Sequence, residues 1–215
     1  MNSELSKTLE NFFEPYPIRT YAKGHILVQA GDDPECIFAL VKGRVKQYDV
    51  TYRGDEVVLN VFQPPAYFPM SFAINRTPNE YIFEADTAVE LKKVPFDDIT
   101  TFVRSNPEVL YDLLSRVYRG TDGMLRRMAH LMASTAKSRV LYELITECRR
   151  FGESTGSGIT IALNETDIGA RSGLSRETVN REMSKLKAEG LIRVDHKQIT
   201  VPKLEDLERT LGTEL

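Results

Sequence analysis

The chain has 215 residues, 41% of them hydrophobic, and a formal net charge of −3. That length suits two domains, and the acidic balance excludes the broad basic footprint common in nucleic-acid binders. No apolar run approaches the roughly 20 residues needed to cross a bilayer, and the polar start Met1-Asn-Ser-Glu is unlike a signal peptide, so a cytoplasmic protein is expected. Two cysteines, Cys36 and Cys148, give neither a disulfide framework nor a zinc ribbon and are too few for the usual four-cysteine iron–sulfur site.

Residues 5–13 suggest a short amphipathic helix. From Ile18 to about Val94, short β-prone runs alternate with Gly24, Gly31, Gly43 and Gly54. The clearest are His25–Val28, Cys36–Val41, Arg44–Tyr48 and Glu56–Phe62, a spacing that predicts a sandwich or barrel. Asn106 followed by Pro107 is a good start for a long helix. In it Leu110, Leu114, Val117, Thr121, Met124, Met128 and Leu131 recur at spacings of four and three, the seam of a coiled coil. Gly120 and Gly123 interrupt that helix. Ser134–Lys137 reads as a hinge, Ser138–Arg150 as a helix, and Gly152–Gly158 as a mobile loop rich in Gly, Ser and Thr.

The segment Asn164–Arg181 carries most information. Asn164 and Asp167 suit a helix N-terminus, Gly173 a tight turn, and Ser175 the cap of a second helix that stops at Gly190. Val179, Met183 and Leu186 recur at core spacing. Arg176, Glu177, Asn180 and Arg181 then face outward. Arg can chelate the O6/N7 edge of guanine, and Glu can accept from cytosine N4. Leu191–Val194 and Gln198–Val201, joined by Asp195-His-Lys197, add a hairpin. A helix-turn-helix followed by a hairpin is a winged helix. Residues 137–215 hold 13 Lys and Arg against 13 Asp and Glu, so binding must rest on local placement of Arg171, Arg176, Arg181, Lys185 and Lys187.

Gly173-Leu-Ser-Arg-Glu-Thr-Val-Asn-Arg181, followed by Leu186-Lys-Ala-Glu-Gly-Leu-Ile192, closely resembles the DNA-binding domain of the CRP/FNR family of bacterial transcription regulators. Lys23-Gly24, Gly31 and Ile37-Phe-Ala-Leu-Val-Lys-Gly-Arg-Val45 resemble the cyclic-nucleotide-binding jelly roll of the same family. The resemblance covers nearly the whole chain, strongest over 137–201, fair over 20–62 and weak over 63–83. It implies an α+β protein: a double-stranded β-helix (jelly-roll) sensor domain over 1–105, a dimerisation helix and hinge over 106–136, and a winged helix-turn-helix over 137–215. It implies a homodimer on a palindromic promoter site with half-sites resembling TGTGA, and double-stranded DNA and RNA polymerase as partners. Arg176, Glu177 and Arg181 would read the major groove, with Ser175, Thr178, Asn180, Arg171 and Lys185 beside them.

The sensor departs from the family pattern. The family's Gly-Glu pair falls on Pro69-Met70, and its phosphate-gripping Arg-Ser/Thr-Ala segment falls on Asn79-Glu80-Tyr81. Arg supplies a charge-assisted clamp that Glu80 would oppose, and Arg76 is the only cation nearby. Met124 and Leu125 stand where the purine would be met. A regulator not controlled by cyclic AMP is therefore expected. The aromatic and apolar set in this region reads either as a filled core or as a pocket for an apolar or peptide-like effector lined by Tyr67, Met70, Tyr81, Phe83, Met124 and Met128. A redox response through Cys36 is a further alternative, against the commoner small buried cysteine. His25, His130 and His196 fall in three separate regions, which disfavours a metal site. No cofactor and no enzyme activity are expected, because the barrel lacks a His and Glu cluster.

Overall fold

The computed structural model describes residues 3–195 and 198–214. It divides into two compact units, residues up to Gly120 and residues from Thr121.

The first unit runs α1 (Ser3–Phe13), β1 (Ile18–Tyr21), β2 (Ile26–Val28), β3 (Cys36–Lys42), β4 (Val45–Val50), β5 (Glu56–Phe62), β6 (Ala66–Phe68), α2 (Met70–Asn75), β7 (Ile82–Ala85), β8 (Val89–Pro95) and α3 (Phe96–Ser105), and ends in α4 (Pro107–Ala133), which continues past Gly120. The strands form two four-stranded antiparallel sheets, ordered β1-β8-β3-β6 and β2-β7-β4-β5. Strand side chains alternate between faces, and β3 uses both of its faces. Phe38 and Leu40 point to the inner layer, where they join Phe68 and Leu91 of their own sheet and Val28, Val45, Phe83 and Ala85 of the other. Ile37 and Ala39 point the other way and are covered by Leu9 and Phe13 of α1, Phe72 of α2, and Phe96, Ile99 and Val103 of α3. Val109 and Leu113, four apart on α4, belong to that outer layer.

The sequence pattern did not announce α2 or α3. Both are short, and their apolar residues lie close to β-prone runs. Asn106 closes α3 by donating its side-chain amide to the Phe102 carbonyl at 2.7 Å, while its own carbonyl accepts from the Leu110 N–H at 3.2 Å.

The second unit contains α5 (Ala136–Phe151), β9 (Glu153–Thr155), β10 (Gly158–Ile161), α6 (Glu165–Ser172), α7 (Arg176–Ala188), β11 (Arg193–Asp195), β12 (Gln198–Val201) and α8 (Leu204–Glu214). One core joins them: Val140, Leu141 and Leu144 of α5, Ile168 of α6, Val179, Met183 and Leu186 of α7, Ile199 and Val201 of β12, and Leu207 of α8. The expected mobile loop at 152–158 is instead part of a hairpin. β9 pairs with β10, which pairs with β12, in a sheet ordered β11-β12-β10-β9. Ile161 buries its side chain in the core and Ile159 packs against it, and that burial outweighs the turn-forming bias of the Gly-Ser-Thr stretch. Gly158 is required there: its φ is +128°, and an added Cβ would overlap the Val201 carbonyl. Among the described residues, no helix is long and apolar enough to cross a membrane.

Candidate nucleic-acid interface

α6 and α7 form the expected helix-turn-helix. The Asn164 side chain accepts from the N–H groups of Thr166 and Asp167 at 2.9 and 3.0 Å, and Asp167 accepts from the Asn164 N–H at 3.1 Å. This capping box satisfies donors that the first turn leaves without partners. Gly173 takes the left-handed conformation at φ +67°. A Cβ on Gly169 would lie 2.8 Å from the Leu174 carbonyl, so a side chain there would push the turn away from α6. Ser175 caps α7, its hydroxyl accepting from the Thr178 N–H at 3.2 Å.

Val179, Met183 and Leu186 are buried, which turns Arg176, Glu177, Asn180, Arg181 and Lys185 outward. Ser175 and Thr178 lie at the start of this face, and the Ser175 and Thr178 hydroxyls are 3.0 Å apart. Among the described residues Arg176 has no ion pair, and its guanidinium projects from the first turn of α7. The wing follows in β11 and β12, with Arg193 exposed; residues 196 and 197 at its tip, including His196, lie outside the described residues.

Arg171 does not fit the DNA-contact role expected for it. Its side chain is only 10% exposed, and it donates to Glu147, itself 1% exposed, at 2.5 Å. A second pair sits alongside: Arg127 of α4 donates to Glu143 at 3.0 Å and to the Arg171 carbonyl at 2.6 Å. Burial pushes the Glu143 carboxyl above its ordinary value, against the pull of Arg127 and Arg171. These pairs tie α6 to α5 and to the second half of α4. Two acids on α5 at i and i+4 would be read from sequence as an exposed stripe, and only their position among Val140, Leu144 and Cys148 hinted otherwise. Glu182 was also missed. It is buried on α7 and accepts from Arg181 at 3.3 Å and from Lys185 at 2.9 Å.

In the first unit the residues expected to line one effector pocket part company. Tyr67 pairs with Ala39 across β6 and β3 and so lies on the outer face. There it stacks on Phe13 at 5.1 Å, and Met70 packs in the same layer. Tyr81 and Phe83 belong to the inner layer. Tyr67 and Met70 therefore cannot share an inner pocket with Phe83, because adjacent residues on β6 point to opposite faces. The inner layer is filled by Phe62, Phe68 and Phe83, whose ring centroids lie 5.2–5.9 Å apart. Two amides were overlooked: Gln47 and Asn60 are directly paired across β4 and β5, and Gln47 also faces Phe83. The parity of Val45 and Phe62, two residues away and packed in the inner layer, was the available signal. Met124 and Met128 stand exposed on α4, 62% and 52% accessible.

Asn79 carries the segment expected to replace the phosphate clamp. It is buried, and its amide donates to the Gln29 carbonyl at 2.8 Å and to the Tyr81 carbonyl, while its own carbonyl accepts from Gly31 at 2.7 Å. Glu80 is exposed. Arg76 pairs with the exposed Asp97 at 3.2 Å. Burial raises the Cys36 thiol pKa despite Lys93, and burial with Glu147 pushes Cys148 to about 12. A protonated thiol is a poor nucleophile.

Comparison with known proteins agrees with this architecture. Residues 18–106 match the model of the cyclic nucleotide-binding domain, and residues 127–210 that of the Crp-like helix-turn-helix domain. The global nitrogen regulator of Synechococcus elongatus is 30% identical over 87% of this chain and 86% of its own length. Among solved structures, a c-di-GMP-responsive global regulator from Xanthomonas campestris superposes with a TM-score of 0.82 at 18% identity, covering 92% of this chain and 99% of that one. A CRP/FNR-family regulator from Thermus thermophilus gives 0.79 at 21% identity, covering 93% and 100%.

Removing one partner of a buried ion pair leaves the other charge desolvated, at a cost of about 3–5 kcal/mol. Arg171→Met should lower unfolding free energy by about that amount in urea denaturation. Adding Glu147→Leu should recover most of the loss. If the double variant is no more stable than the single one, the pair is not what holds α6 to α5.

Proposed function

The chain belongs to the CRP/FNR family of transcription regulators and binds DNA through its helix-turn-helix; from that premise we propose that it acts in the cytoplasm as a homodimer on a palindromic promoter site, without control by cyclic AMP. The observation that carries the reading is the outward face of α7. Arg176 and Arg181 contact guanines, Glu177 accepts from a cytosine, and Lys185 lies against the phosphate backbone. Thr178 and Asn180 line the same groove. Half-sites resemble TGTGA and lie about one helical turn, roughly 34 Å, apart. RNA polymerase is the protein partner through which bound DNA is turned into a transcriptional response.

The dimer forms along α4. Leu110, Leu114, Val117, Met124 and Met128 are large apolar side chains left exposed on one helix, and Thr121 and Leu131 complete the heptad positions. Exposure of a stripe this long is costly in water, and a second copy of the same stripe would cover it.

The case against cyclic nucleotides rests on the first unit. Its inner layer is occupied by stacked rings, and Asn79 is held by three of its own polar groups where the family resemblance expects a cationic clamp. Raised thiol pKa values leave the redox alternative without support.

Arg176→Ala should weaken binding to a selected site by about 1–3 kcal/mol and relax one base position. An unchanged consensus at unchanged affinity removes the assignment. Met124→Asp with Met128→Asp puts charges into a seam that is desolvated on pairing. Sedimentation should show that variant as a monomer and the wild type as a dimer; a wild-type monomer at micromolar concentration would refute the seam. Titration calorimetry should find no tight binding of cyclic AMP or cyclic GMP. Two missing charge-assisted hydrogen bonds, at about 1.5–3 kcal/mol each, weaken affinity by two to four orders of magnitude. Micromolar binding of either nucleotide, with a gain in DNA affinity, would overturn this reading of the sensor.

A further inference from the structure

We propose that Glu182 is a specificity-determining positioning residue, which orients Arg181 so that its two terminal nitrogens are presented to a guanine. The proposal rests on the reading that Arg181 contacts a base.

Glu182 occupies a core position, three residues after Val179 and four before Leu186, yet it carries a carboxylate. Its side chain is 5% exposed, whereas that of Arg181 is 65% exposed. The contact from Arg181 is made through Nε, at 3.3 Å. A guanidinium has five N–H donors in a fixed fork. Engaging Nε leaves the two Nη groups free to address guanine O6 and N7 together. Lys185 reaches the same carboxylate at 2.9 and 3.0 Å, one turn further along α7. Burial would raise the Glu182 pKa, but the hydrogen bonds from Lys185 and Arg181 outweigh it and hold the carboxyl below its ordinary value. The acid is therefore ionised at neutral pH, and its placement deep on the helix keeps it from meeting DNA itself.

Two consequences follow. Arg has a long flexible stem, and ordering it beforehand lowers the entropic cost of using it at an interface. The carboxylate also offsets part of the positive charge of Arg181 and Lys185, which restrains binding to phosphates of any sequence. Losing Glu182 should thus weaken base selection and strengthen non-specific binding, two effects of opposite sign that simple loss of structure would not produce.

The test uses the full chain and duplexes carrying the selected site, single base-pair changes in it, and unrelated sequence. Arg181→Ala identifies the base pair that Arg181 reads. Glu182→Gln, isosteric and uncharged, and Glu182→Met, apolar, should each reduce preference at that pair by about 3- to 10-fold. Preference at the pairs read by Arg176 and Glu177 should be retained, and affinity for unrelated duplex should rise. Added to Arg181→Ala, either change should have no further effect on base preference. Wild-type preference at that pair in Glu182→Gln overturns the inference while leaving the Arg181 contact standing. An equal loss at every base pair also overturns it, by assigning Glu182 a structural role only. If Arg181→Ala alters no base preference, the contact itself is refuted and the inference falls with it.

Discussion

The burial of Val179, Met183 and Leu186 against α5, α6 and β12 sets the rotation of α7, and the rotation of α7 sets what can face DNA. Successive residues on a helix are turned by about 100°, so one residue of slip would carry Asn180 or Thr178 into the place of Val179 and lift a core residue into water. Each apolar side chain of this size gains about 1.5–3 kcal/mol on burial. A slip would forfeit several such terms and desolvate a polar group as well. The Ser175 cap and the Gly173 turn then fix where along the axis the face begins. The reading face is in this sense a by-product of the core stripe behind it.

Charge is distributed by the same logic. A balanced DNA-binding half looks unpromising until its charges are placed. Arg127 and Arg171 are tied to Glu143 and Glu147 beneath the surface, and Lys137 and Arg149 pair with Glu189 and Glu208. Buried pairs of this kind add little to net stability, but they fix geometry, since each needs its partner within hydrogen-bonding distance. With much of the acid consumed in this way, Arg176 is left on the outward face of α7 with no ion pair among the described residues. What distinguishes the outward face of α7 is where single charges stand and not an excess of Lys and Arg.

The helix-turn-helix was legible in the sequence because its punctuation is chemical: Asn164, Asp167, Gly173, Ser175 and Gly190 each answer a backbone need at a fixed place. The jelly roll was legible as β-prone runs separated by glycines, which met both limits of β5 and fell one residue short at the end of β3. What failed was parity and layer. Tyr67 and Phe68 are neighbours in sequence and sit on opposite faces of a sheet, and nothing local to them says which face α1 will cover. Gly152–Gly158 was read from its turn formers, when the two isoleucines that follow it governed. Glu143, Glu147 and Glu182 drew no reading from the sequence, although their spacing from Leu144, Cys148, Val179 and Leu186 placed them near the core. For paired carboxylates, periodicity is a better guide than residue type.

The sensor unit makes the relation between a family pattern and a particular chain concrete. Where the family resemblance expects Arg and Ser or Thr, this chain has Asn79 and Glu80, and Asn79 stitches the β2–β3 connection to the strand that follows it. A buried side-chain amide whose nitrogen donates to two carbonyls is expensive to release, since each group set free would have to be satisfied again. The three stacked rings of Phe62, Phe68 and Phe83 oppose a guest in a different way, because interiors packed at this density admit new atoms only by displacing others. Gln47 and Asn60 are paired across β4 and β5 on the same barrel, and the Asn60 side chain accepts from the Val61 N–H at 2.9 Å.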